Sequence, residues 1–150
     1  MEKLKMHFIT SDREYREGEV FVYEQKFTVK DVKKAVFTAT ALGVYEAEIN
    51  GVKIGKQMFA PGYSYYPRRV LYQTHEVSAL LRECENTLRV YLGQGWYCGR
   101  FLCENKTQIY GEKPAVSWIL NIEDAGGVRD IVSGVQTDEL ESPYEYAGEY

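Results

Sequence analysis

Thr87–Arg100, TLRVYLGQGWYCGR, decides the fold. Leu88, Val90 and Leu92 fall on one face and Thr87, Arg89 and Tyr91 on the other. That period of two marks a half-buried strand. The alternation stops at Gly93-Gln94-Gly95, where two close glycines let the backbone bend sharply. Trp96 and Tyr97 follow at once, then Gly99 and Arg100. An apolar strand therefore delivers two aromatic rings and a guanidinium to the rim of a β fold.

Neighbouring stretches repeat the strand signal. Glu19–Val29 is rich in β-branched and aromatic residues, and Ala35–Ala41 carries small ones suited to close packing against a facing sheet. Val44–Asn50 alternates cleanly, with Tyr45, Ala47 and Ile49 opposite Val44, Glu46 and Glu48. Asn50-Gly51 then supplies the two positive-φ positions of a type I′ hairpin turn, and Val52–Ile54 returns. Val70–Val77 reads as a strand and Ser78–Glu83 as one helical turn, with Ser78 as its cap and Leu80 and Leu81 facing in. Ala115–Glu123 places Val116, Trp118, Leu120 and Ile122 on one side. Val128–Val132 comes back after a Gly-Gly turn, with Asp130 towards water. Leu4–Thr10 has the pattern of a short edge strand. The tail, Gln136–Tyr150, reads as an extended exit segment. Roughly eight to ten short strands with almost no helix make an all-β sandwich or barrel. Periodicity does not separate jelly-roll from immunoglobulin-like order.

The 150 residues suit one domain, with no internal repeat and no low-complexity tract. Tyrosine accounts for 13 residues, a ring type that packs as a plate and keeps a hydroxyl for polar ligands. The net charge of −4 and the lack of a basic face argue against a phosphate-backbone partner. Three cysteines, Cys84, Cys98 and Cys103, are an odd number without CxxC spacing. A closed disulfide set or zinc cluster is not expected, and reduced thiols in a cytoplasmic protein fit best. No apolar run has the length of a signal peptide or a membrane span.

No catalytic constellation is legible. His7 and His75 both fall in strand-like stretches, and no nucleophile elbow, Walker loop or zinc helix is present. A glycosidase needs two carboxylates across a cleft, and the spacing of the acids here places no such pair. Binding is better supplied. Sugars stack their C–H faces on rings and offer hydroxyls to charged and amide groups. Trp96, Tyr97, Arg100, Asn105 and Tyr110 lie on one loop system and provide both. A second rich loop carries Tyr63, Tyr65, Tyr66, Arg68 and Arg69. For Trp96 packing is the weightier reading, since a large indole is usually mostly buried. For Arg100 packing and binding balance. A calcium ion would need clustered carboxylates and carbonyls; Asp124 with Asp130, or the acidic tail, are the groups on offer.

Four runs in order carry a resemblance: ATALGVYEAEINGVKIG (39–55), FAPGYSYYPRRVLYQTHEV (59–77), NTLRVYLGQGWYCGR (86–100) and IYGEKPAVSWILNIE (109–123). Together they resemble the N-terminal β-domain of bacterial α-L-rhamnosidases of glycoside hydrolase family 78. The GWYxGR block is the most specific, and the tail TDELESPYEYAGEY also resembles the family's exit from this domain. The resemblance implies a jelly-roll β-sandwich of the galactose-binding type. It implies a larger multidomain glycosidase that removes terminal α-L-rhamnose with inversion. Its catalytic carboxylates belong to a separate (α/α)6 barrel with an Arg-Asp-Glu motif, and neither occurs in this sequence. The chain is thus expected to be a non-catalytic accessory domain. Its expected partners are rhamnosides and the other domains of the parent enzyme, with no nucleic acid and no membrane. In some members this β-domain binds rhamnose with calcium; in this chain the polar-aromatic loop after Gly95 makes an autonomous carbohydrate-binding module the alternative. A third reading, a pure interaction domain, expects an exposed apolar patch. Tyr63 departs from the tryptophan usual in the family's APGW.

Overall fold

The alternation at Leu88–Leu92 becomes the middle of a ten-residue strand, Cys84–Gly93. The computed structural model describes residues 7–100 and 106–146. In chain order the strands are β1 Phe21–Val29, β2 Lys34–Leu42, β3 Val44–Ile49, β4 Val52–Lys53, β5 Gln73–Glu76, β6 Cys84–Gly93, β7 Ala115–Asp124, β8 Gly127–Val132 and β9 Asp138–Leu140. One helical turn, α1 Gly95–Cys98, follows β6. A single 3-10 turn spans Ser78–Leu80.

The strands form two sheets, ordered β4-β3-β6-β1-β9 and β5-β2-β7-β8. Every strand pair is antiparallel. Period-two side chains from both sheets close one core. Leu88, Val90 and Leu92 of β6 join Phe21 and Tyr23 of β1 and Tyr45, Ala47 and Ile49 of β3. Against them lie Ala35, Phe37, Ala39 and Ala41 of β2 and Val116, Trp118, Leu120 and Ile122 of β7. The alanines of β2 leave room for large rings: Ala39 is the register partner of Trp118, whose indole is 1% exposed. This is the β-sandwich that the strand pattern leads one to expect.

The chain passes from one sheet to the other through a single residue, Gly43, between β2 and β3. Its φ is +133°, and a Cβ there would stand 2.4 Å from the carbonyl oxygen of Gly93. Only glycine fits such an approach. The Asn50-Gly51 turn has φ of 52° and 80°, the signs a type I′ turn requires. Asn50 also bonds outward: its Nδ2 donates to Leu80 O at 3.0 Å and to Asn86 Oδ1 at 2.8 Å.

Four expectations are corrected. The strand foreseen at Val70–Val77 shortens to Gln73–Glu76, because the Leu71 carbonyl accepts the Thr40 hydroxyl. Ser78 does not cap its turn; Val77 takes the cap position, and the Ser78 hydroxyl accepts the Ala35 N–H at 2.8 Å. The tail is not merely extended, since Asp138–Leu140 pairs with Val22–Glu24 as β9. The expected N-terminal edge strand reduces, among the described residues, to one bridge between Ile9 and Val116; residues 4–6 of that stretch lie outside the described residues. No helix among the described residues is long and apolar enough to cross a membrane.

Candidate functional site

Three segments meet at the end of the sandwich where β6 runs out: the connection 58–72, α1 with its flanks, and the approach to β7 from 106 to 114. The turn after β6 is a helical one, not the open loop that its glycines suggest. Gln94 anchors it from below. This buried side chain accepts the Tyr15 hydroxyl at 2.8 Å and the Gly18 N–H at 2.9 Å. Gly95 follows with φ +47°. Cys98 points inward at 2% exposure, and burial pushes its thiol up to about 12. The Cys98 carbonyl accepts Gln108 N–H and that of Tyr97 accepts Tyr110 N–H, at 3.1 and 3.2 Å. These bonds lay the third segment along α1.

The 58–72 segment is held by the Ala60 carbonyl, which accepts Tyr45 N–H at 2.6 Å, and by Ser64, whose hydroxyl donates to Arg69 O at 2.8 Å. The Tyr65 carbonyl accepts the N–H groups of Arg68 and Arg69. So fastened, the segment presents its rings to α1. Tyr66 sits at the centre, with Tyr97 and Tyr110 edge-on at 5.1 Å each. Tyr97 and Tyr110 lie nearly parallel, 22° apart with centroids at 6.5 Å. Tyr63 and Phe59 meet Trp96 edge-on at 6.2 and 6.3 Å. The hydroxyls of Tyr63 and Tyr110 are 3.0 Å apart. Such edge contacts suit the ring quadrupoles and stiffen the cluster.

Two polar features stand out. The Tyr66 hydroxyl is buried without a hydrogen-bond partner among the described residues. Desolvation, followed by Tyr63 and Tyr110, pushes it up to about 12. The Tyr110 hydroxyl is raised first by its bond with Tyr63. Both phenols therefore stay protonated and neutral at ordinary pH. The ring cluster offers aromatic faces and neutral hydroxyls.

Of the residues singled out from sequence, Trp96, Tyr97 and Tyr110 come together here. The indole of Trp96 is only half-buried. Arg100 turns towards the 11–20 segment, forming a 3.4 Å ion pair with Glu17. Asn105 lies outside the described residues. Tyr63, Tyr65 and Tyr66, from the second rich loop, belong to the same cluster. Phe59 and Met58 were not legible as rim residues, yet they are 62% and 71% exposed; their position just before the Pro-Gly turn is the one signal that points to them. Asp124 and Asp130 do not fit a calcium cage. Asp124 accepts Arg129 at 2.8 Å and two backbone N–H groups, while Asp130 accepts Asn121 at 2.8 Å. The described residues hold no group of three or more His, Cys, Asp or Glu placed to bind a metal.

Comparison with known proteins locates this architecture. The family model for the α-L-rhamnosidase N-terminal domain matches residues 30–149. A curated α-L-rhamnosidase of Streptomyces avermitilis is 41% identical over 113 residues, which make up 75% of this chain and 11% of that protein. The crystal structure of native α-L-rhamnosidase from Aspergillus terreus superposes with a TM-score of 0.85 at 31% identity, covering 93% of this chain and 17% of that one. The Streptomyces avermitilis enzyme complexed with L-rhamnose gives 0.75 at 36% identity, over 81% and 12% of the two chains. The chain thus spans between 11% and 17% of the length of these relatives.

Proposed function

The chain belongs to the α-L-rhamnosidase N-terminal domain family, and on that premise we propose that it is a non-catalytic accessory domain. In this reading it supports or extends substrate recognition for an α-L-rhamnosidase whose catalytic barrel lies elsewhere in the polypeptide. The observation that carries it is the mismatch of lengths: three quarters of this chain aligns with about a ninth of a relative that bears the enzyme's name. The rigid sandwich adds support, since its rim brings together rings and neutral hydroxyls. Exposed Met58, Phe59, Tyr63, Tyr65 and Tyr72 sit on one connection, a concentration of apolar surface suited to contact with other domains. Incubated alone with an aryl α-L-rhamnoside, the chain is expected to release no phenol above the buffer rate; release that scales with chain concentration would overturn the reading.

A second reading, an autonomous carbohydrate-binding module, draws on the same rim. Trp96, Tyr97 and Tyr110, with Tyr63, would supply the stacking faces, and Arg100 and Asn105 the polar groups named from sequence. Titration with L-rhamnose, with and without calcium, followed by amide shifts, tests it. Saturating shifts at residues 58–66 and 94–100 support binding. Absence of shifts at tens of millimolar sugar contradicts it, because a millimolar Kd is only about 4 kcal/mol and would still be visible.

A further inference from the structure

The two ends of the described domain meet at the outer edge of β1. The 11–20 segment arrives there, and β9 with the segment to residue 146 leaves from there. Glu139 of β9 ties them together. Its Oε1 accepts the Ser11 hydroxyl at 2.9 Å and two Arg13 donors, Nε at 3.0 Å and Nη2 at 2.8 Å. The remaining Arg13 nitrogen, Nη1, reaches Glu19 at 2.9 Å, and the guanidinium stands 5.6 Å from the Phe21 ring centroid. Charge-assisted forks of this kind are the stronger class of hydrogen bond. Further along, Tyr144 meets Tyr91 edge-on at 5.8 Å. Tyr146 covers Gly18 so closely that a Cβ there would stand 2.1 Å from its ring.

Residues 138–146 have few other anchors, whereas within 11–19 Tyr15 and Gly18 bond Gln94 and the Ser11 carbonyl accepts Lys113. β9 pairs with β1 over three residues, Val22–Glu24, whereas β6 pairs with the other side of β1 over nine. Asp138, Glu139 and most of 141–146 are exposed. Segments with few buried apolar contacts and exposed backbone bonds open at lower free energy than the core. Loss of the Glu139 contacts removes an anchor from both ends at once.

We propose that residues 11–14 and 138–146 form a single clasp, closed by Glu139, that opens as one unit while the sandwich stays folded. Closed, it covers the edge of β1 at Val22–Glu24. Opened, it bares that edge as a row of unpaired backbone groups, the feature that lets strands of other molecules add on. The clasp is thus a conformational device that shields this edge of β1.

Native-state hydrogen exchange on the whole chain tests this, with Arg13→Ala and Glu139→Gln as variants. Arg13 is exposed, so its replacement leaves the core intact, and far-ultraviolet circular dichroism checks this. In both variants, amides at 12–14 and at 138–140 are expected to exchange faster by the same factor, roughly three- to tenfold, with β2 and β7 unchanged. Arg13→Lys, which keeps the charge but not the fork, is expected to fall between. Acceleration at one end alone, equal acceleration in β2 and β7, or no acceleration at either end would overturn the proposal.

Discussion

The indole N–H of Trp118 donates to the side-chain carbonyl of Gln25, 3.0 Å away, across the interior between the two sheets. Gln25 belongs to β1 and is 4% exposed. Its amide nitrogen donates in turn to the carbonyls of Val132 and Val135. One glutamine therefore satisfies three buried or partly buried groups of the opposite sheet and its exit. Gln25→Ala is expected to cost about 2–4 kcal/mol, because it strands a buried indole N–H and frees two carbonyls. Urea unfolding measures it, and combining the change with Trp118→Phe should cost less than the sum of the two.

Two buried tyrosines make an opposed pair of cases. Tyr45 donates its hydroxyl to Gln73 Oε1 at 3.0 Å, whereas the Tyr66 hydroxyl has no partner among the described residues. Tyr45→Phe is expected to lose about 1 kcal/mol, and Tyr66→Phe to be neutral or stabilising by up to about 1 kcal/mol. The two midpoints in urea should move in opposite directions, or Tyr66 should not move at all. An equal loss in both would show that the Tyr66 hydroxyl is satisfied.

Gly95 carries the bend into α1. A Cβ at this position would lie 2.8 Å from Val44 Cγ1 and 3.0 Å from the Gly43 carbonyl carbon, at φ +47°. Gly95→Ala combines an unfavourable backbone conformation with a clash against backbone, and is expected to cost about 1–3 kcal/mol. Trp96 rides on that turn, so its fluorescence should also shift in the folded variant.

Asp124 sets a pH dependence. The Arg129 guanidinium bonded to its carboxylate, with the N–H groups of Lys30 and Gly126, holds it below the usual carboxylate range. A depressed folded-state pKa adds stability above the unfolded value, about 3.9 for Asp. That contribution fades as pH falls through the folded value. Urea midpoints should therefore drop below pH 4 in the natural chain. Asp124→Asn should be less stable at pH 7 and lose part of that acid dependence.

Alternation places the strands whose sides differ in burial. Val116, Trp118, Leu120 and Ile122 are all buried to 1% exposure or less, as their spacing requires, and the Asn50-Gly51 hairpin stands where the dipeptide puts it. β9 was not legible, because Asp138-Glu139-Leu140 carries no apolar period; the vacant edge of β1 and the charge of Arg13 create its pairing. α1 was hidden for a related reason. A four-residue turn that starts on glycine has weak local preference, and Gln94, Tyr15 and Gly18 impose it from a distance. At the rim, sequence placed two rich loops but not their meeting. Nor could it turn Arg100 towards Glu17, which lies 83 residues away.

The most direct test of the account is turnover by the chain alone. With p-nitrophenyl α-L-rhamnoside, the natural chain and a Trp96→Ala variant are expected to match the buffer rate across the working pH range. Release above buffer by the natural chain, diminished in the variant, would place the chemistry within this domain and contradict the account.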